Sequence, residues 1–147
     1  MKAPEGAAHA KVLFYIGQAD GTFEVESVWA VPEGAGYRLD NIPFFARGFA
    51  LGDVVAATKQ DDGSLRFASL LLASGHSTVR LLFADPAEVQ PTRAQLSAMG
   101  CDSERWNANL IAVDIPPEVP YRDVRTYLDL GERGGLFEYE EGCLGQP

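Results

Sequence analysis

Phe23-Glu24-Val25-Glu26-Ser27-Val28-Trp29-Ala30 is the stretch whose reading decides the class of fold. It alternates, with Phe23, Val25 and either Ser27 or Trp29 on one side and Glu24, Glu26 and Val28 on the other. A period of two marks a half-buried β-strand, where a helix would repeat near 3.6. Trp29 is accordingly expected to lie largely buried in a sheet. Pro32-Glu33-Gly34 then turns the chain.

The same signal extends in both directions. Upstream, residues 12–16 form an apolar run closed by Gly17; downstream, residues 37–42 and 53–58 follow as strands, the second introduced by Gly52. Asp61-Asp62-Gly63-Ser64 makes a hairpin turn into residues 65–73, and Ser74-Gly75 turns again into residues 78–84. Six short strands with tight connections predict a curled antiparallel sheet or small β-barrel over residues 10–84, because closure removes exposed edges.

At Asp85-Pro86 the period shifts towards 3.6. Val89, Leu96 and Met99 fall at helical spacing, with Thr92 as a candidate N-cap and Gly100 as a stop. Residues 110–115 read as an apolar strand ended by Pro116-Pro117. Tyr121, Val124, Tyr127 and Leu128 mark one face of a second helix, opened by Pro120 and ended by Gly131, Gly134 and Gly135. Residues 137–140 alternate as a last strand. Residues 85–147 thus predict a strand-helix-strand-helix-strand, ferredoxin-like half, with 78–84 as the joining strand, and the chain is expected to be one α+β domain over residues 1–147.

Composition narrows the function classes. A hydrophobic fraction of 46% supports a sizeable core, and a formal net charge of -9, with only three Lys, disfavours phosphate backbones and anionic lipid surfaces. The expectation is no nucleic-acid and no membrane partner. Cys101 and Cys143 belong to no CxxC or CxxH spacing, which favours free thiols. The first nine residues contain no signal-like apolar stretch, and no later run approaches the roughly 20 residues that span a bilayer. A cytoplasmic location is expected.

Two polar blocks are candidates for chemistry. In Leu39-Asp40-Asn41-Ile42-Pro43-Phe44-Phe45, Asp40 and Asn41 can shape a turn, since their side chains bond nearby amides and Pro43 forces extended geometry before it. The functional alternative places Asp40 and Asn41 at a pocket mouth, with Phe44 and Phe45 supplying apolar contact. In Ser74-Gly75-His76-Ser77-Thr78-Val79-Arg80, His76 could act as a general base if Asp40 or Asp53 oriented it, whereas the structural alternative is a hydrogen-bonded turn histidine. The candidate rim is Asp40, Asn41, Phe44, Phe45, His76, Ser77, Thr78 and Arg80. No nucleophile elbow, metal-ligand spacing or phosphate loop is present, so neither a metal nor another cofactor is expected. Glu138, Glu140 and Glu141 form an acidic fringe able to steer a basic protein.

Several ordered blocks resemble an uncharacterised bacterial family catalogued as domain of unknown function 4265. They include Val28-Trp29-Ala30, the run from Tyr37 to Ala46, Leu51-Gly52-Asp53-Val54-Val55 and Ser74-Gly75-His76-Ser77-Thr78-Val79-Arg80. Met99-Gly100-Cys101, Val113-Asp114-Ile115-Pro116 and Phe137-Glu138-Tyr139-Glu140-Glu141 continue it, so the resemblance covers roughly residues 23–144. It implies no particular activity, cofactor or catalytic residue. With no motif that specifies a reaction, the residues favour a small acidic binding module that recognises a basic protein, as an inhibitor or immunity-type protein would. The alternative is a small enzyme or ligand-binding protein with a pocket near Asp40, Asn41 and His76.

Overall fold

In the computed structural model, which describes residues 9–147, β1 (Ala10–Gly17) and β2 (Phe23–Glu33) pair antiparallel in unbroken register from Ala10 opposite Ala30 to Gly17 opposite Phe23. β3 (Gly36–Leu39), β4 (Val54–Lys59) and β5 (Leu65–Leu72) continue the antiparallel succession. Five strands that alternate in direction leave the first and last running the same way. Their short seam is therefore parallel, with Val12 beside Leu65 and Leu13 beside Arg66. The result is a curled sheet whose concave side buries Val12, Phe14, Val28, Ala30, Leu39 and Val55.

Glu26, Val28 and Ala30 of β2 point inward, while Phe23 and Val25 are 65% and 50% exposed. The cause lies in β1: its apolar residues Val12 and Phe14 stand opposite Val28 and Glu26, so the register carries Glu26 into the core side together with them. Trp29 is correspondingly half-buried, not fully enclosed.

The second half runs β6 (Ser77–Phe83), a 3-10 turn (Pro86–Glu88), α1 (Val89–Ala98), β7 (Ser103–Arg105), β8 (Leu110–Ile115), α2 (Tyr121–Arg133) and β9 (Phe137–Cys143). Its sheet has the order β7-β8-β6-β9 with every pair antiparallel. The helices cover one face: Val89 and Leu96 of α1 and Tyr121, Val124 and Leu128 of α2 pack on Val79, Leu81, Ile111 and Val113. On the opposite face, Ala112 packs with Ile42 and Phe44 from the β3–β4 connection, which joins the two sheets. Overall the chain is α+β.

Local expectations for this half need three corrections. Thr92 is buried inside α1 and does not cap it; the chain enters the helix through the 3-10 turn, where Ala87 N–H donates to the Asp85 carboxylate. Gly131 does not end α2. It sits inside the helix because the Phe137 ring occupies the space a Cβ would need. β7, only three residues long, adds a strand that no periodicity announced. Among the described residues no helix is long and apolar enough to cross a membrane.

Candidate functional site

Residues 40–53 connect β3 to β4 without regular structure, so their backbone groups need partners from elsewhere. Asp40 N–H donates to Trp29 C=O at 2.8 Å, and Trp29 N–H donates to Asn41 Oδ1 at 2.9 Å, which prolongs the β2–β3 ladder by one step. Pro43 cannot continue a ladder, lacking an N–H. From there the Glu26 carboxylate takes over, accepting from the N–H groups of Phe44, Phe45 and Ala46 at 2.6, 3.0 and 2.8 Å. A carboxylate that is only 8% exposed is tolerated here because three donors converge on it.

The carbonyl side of the same segment is held from the other sheet. Arg80 of β6 donates through Nη2 to Ala46 C=O at 2.6 Å and Pro43 C=O at 3.4 Å, and through Nη1 to Glu140 at 3.2 Å. Burial lowers the Arg80 pKa from its ordinary value, and the bond and charge of Glu140 oppose that shift. The guanidinium reaches this position because Gly142 has no side chain; a Cβ there would collide with Arg80 Nη1. Gly48 N–H donates to Gly142 C=O, and Arg47 reaches Glu140 at 2.9 Å. At the far end Asp53 fastens the connection, accepting from Ala50 N–H and Ser74 N–H.

So gripped, the segment presents Phe44 and Phe45 against Trp106, with ring centroids 5.1 and 5.2 Å away. These rings wall a groove of about 350 Å³ whose opposite side is β2, including Val25, Glu26 and Ser27. Trp106 is 53% exposed. A second hollow of about 260 Å³ lies on the other side of Phe44 and Phe45 and is bordered by Arg80, Leu82 and Glu140.

The second polar block is built around a different acid from the two expected. His76 Nδ1 lies 2.8 Å from Asp114 Oδ1, and it donates because an ionised carboxylate only accepts. Asp114 is buried on β8, and burial raises its pKa while the bond from His76 works in the opposite direction. Asp40 instead pairs with His9 Nε2 at 2.9 Å. Ser77 Oγ accepts from Gly145 N–H, and Thr78 Oγ1 donates to Phe49 C=O.

Of the expected rim, Phe44, Phe45 and Arg80 thus meet beside the second hollow, and Asn41 lines the groove on the β2 side of Phe44 and Phe45. Asp40 and His76 each take another partner, His9 and Asp114. The sequence reading missed Glu26 and Trp106. Glu26 was detectable through its parity with Val28 and Ala30, opposite the apolar residues of β1; Trp106, in an irregular stretch, carried no signal. Among the described residues no group of three or more His, Cys, Asp or Glu side chains is arranged to hold a metal ion. Cys101 and Cys143 form no disulfide, and burial pushes the Cys101 thiol up to about 11.

No curated protein matches the chain. Its fold resembles a solved structure described as a novel crystal structure of a hypothetical protein from Neisseria gonorrhoeae, with a TM-score of 0.82 and 23% identity over 97% of this chain and 100% of the other. At that identity the likeness concerns the fold. Residues 26–139 match the model described as domain of unknown function DUF4265, and the chain belongs to that family.

Proposed function

We propose that this protein is a small acidic binding module that recognises a basic protein partner, in the manner of an inhibitor or immunity-type protein, through the groove between β2 and the Phe44, Phe45 and Trp106 rings. The observation that carries this reading is the effort spent on one exposed wall. A buried carboxylate and a buried guanidinium hold the segment bearing Phe44 and Phe45, yet Phe45, Trp106 and Val25 remain open to solvent. Rigid aromatic groups left exposed beside polar backbone are what a partner's anchor residues need. A net charge of -9 favours a basic partner over nucleic acid. We also propose that it works in the cytoplasm of a bacterium, where its thiols stay reduced, and that the β7-β8-β6-β9 half is ferredoxin-like in its split βαβ order.

Calorimetric titration with the capped peptides Lys-Val-Lys-Val-Lys and Glu-Val-Glu-Val-Glu tests the reading. The expected result is heat from the basic peptide alone, lost in Trp106→Ala and weakened by salt. Equal binding of both peptides, or basic-peptide binding indifferent to Trp106→Ala, would sink it.

The alternative, a small enzyme or ligand-binding protein, is favoured by the His76–Asp114 pair, because the bond at Nδ1 leaves Nε2 as the basic nitrogen. On that reading His76→Gln abolishes an activity. On the binding reading the same variant binds the basic peptide unchanged.

A further inference from the structure

β2 is longer than the strand that pairs with its second edge. β1 accompanies it from Phe23 to Ala30, whereas β3 covers only Ala30 to Glu33. Trp29 fixes which backbone groups look towards the uncovered stretch, since its N–H and C=O are taken by Asn41 and Asp40 on the β3 side. Along a strand the backbone groups of alternate residues point to the same edge. The N–H and C=O of Val25 and Ser27 therefore share the direction of Trp29, away from β1 and into the groove both residues line. Among the described residues no strand pairs with them on that edge. Such an edge is a template for another strand.

We infer that the groove accepts an extended segment of the partner as an added β-strand, hydrogen-bonded to Val25 and Ser27; this deepens the binding reading above and rests on it. Two N–H and two C=O groups two residues apart suffice to hold a three-residue segment in register. The side chains of an added strand alternate between faces. One row meets Phe45 and Trp106, and apolar residues suit it. The charge preference comes from Glu24, at the hairpin end of the groove. Lys11, the cation lining the groove, stands over the Trp29 ring at 5.0 Å. That is five residues along β2 from Glu24, or about 17 Å at the rise of a strand. The occupant is thus a segment in which apolar and basic residues alternate.

The test uses the full chain and capped Lys-Val-Lys-Val-Lys in two backbone-methylated forms, one methylated at both Val amides and one at the Lys amides. An added strand turns only one of these amide sets towards β2. One form should lose at least roughly tenfold in affinity, since it loses charge-free hydrogen bonds from a partly dry groove, while the other binds within about threefold of the parent. On the protein, Ser27→Pro removes an N–H that faces the groove and leaves the β1 ladder intact, as proline at an edge can. It should fold and bind at least roughly tenfold more weakly, whereas Ser27→Ala binds like the wild type. Equal behaviour of the two methylated peptides, or full binding by a folded Ser27→Pro, overturns strand addition. If in that case Lys-Val-Lys-Val-Lys still binds and Glu-Val-Glu-Val-Glu does not, the basic-partner reading survives. If the methylated forms differ but the acidic peptide binds equally well, the basic-partner reading falls and the strand docking stands. Binding by none of the peptides overturns both.

Discussion

Glu26 and Arg80 grip the same four residues from opposite polarities: the carboxylate of β2 accepts the N–H groups of Phe44, Phe45 and Ala46, and the guanidinium of β6 donates to the C=O groups of Pro43 and Ala46. Each residue belongs to a different sheet. The Pro43 to Ala46 segment is therefore the polar joint between the two halves, and the aromatic wall of the groove is mounted on that joint.

Removing the acid leaves three amide donors without their acceptor. Each buried donor left unpaired costs roughly 1–3 kcal/mol, so Glu26→Ala is expected to lose about 3 kcal/mol or more of unfolding free energy in urea titrations. Glu26→Gln should lose at least half as much, because its amide nitrogen would face an N–H. A loss below about 0.5 kcal/mol, typical of an unconstrained surface site, would contradict the role given to Glu26.

Arg80→Met keeps an unbranched apolar stem and strips the guanidinium donors. Two carbonyls lose their partner, and a destabilisation of about 2–4 kcal/mol is expected; Arg80→Lys should restore little of it, since an ammonium cannot reproduce the planar fork. Because both residues hold one segment, Glu26→Ala and Arg80→Met should be non-additive by more than about 0.5 kcal/mol in a double-mutant cycle. Strict additivity would mean that they act on separate structures.

The Asp114 pKa is raised by burial, the dominant influence, with His76 pulling against it. A carboxyl whose native pKa lies above its unfolded value binds more protons when folded, so its contribution to stability falls as pH rises from its ordinary value of 3.8 through the native value. Asp114→Asn retains an acceptor for His76 and removes the titration. Denaturation between pH 3 and pH 6 should show the wild type losing stability relative to Asp114→Asn as pH rises. The opposite slope would place the native pKa below the unfolded one.

Much of the strand pattern was legible because turn residues bound it so clearly: Asp61-Asp62-Gly63-Ser64 and Ser74-Gly75 stand where β5 begins and where β6 follows it. Which face of β2 turns inward was not legible from β2 alone. Phe23 and Val25 outweigh Val28 and Ala30 in apolar bulk, and the answer depends on the register with β1 and on three amides arriving from residues 44–46. The same limit explains His76. Asp114 lies 38 residues away and becomes its neighbour only because β8 pairs with β6. Arg80 was found as a polar residue in the second block, but its partners Ala46 and Glu140 come from long-range packing that no local period encodes.

The thiols provide an independent check on packing. With its pKa at about 11, Cys101 should hold roughly 100-fold less thiolate at pH 8 than a cysteine at the ordinary 9, and alkylation of the native protein should be slow to match. In denaturant both Cys101 and Cys143 should titrate as free thiols. Rapid labelling of Cys101 in the folded protein would contradict its burial, and recovery of fewer than two thiols would contradict the reduced state.

The most direct measurement is a two-dimensional amide NMR map of the protein with and without capped Lys-Val-Lys-Val-Lys. The groove reading predicts that the largest shifts fall on the amides of Val25, Ser27 and Phe45 and on the Trp106 indole, with the Glu138, Glu140 and Glu141 fringe and the His76 block little changed. Shifts concentrated on the fringe or around His76, with Val25, Ser27 and Trp106 unmoved, would place the working surface elsewhere and contradict it.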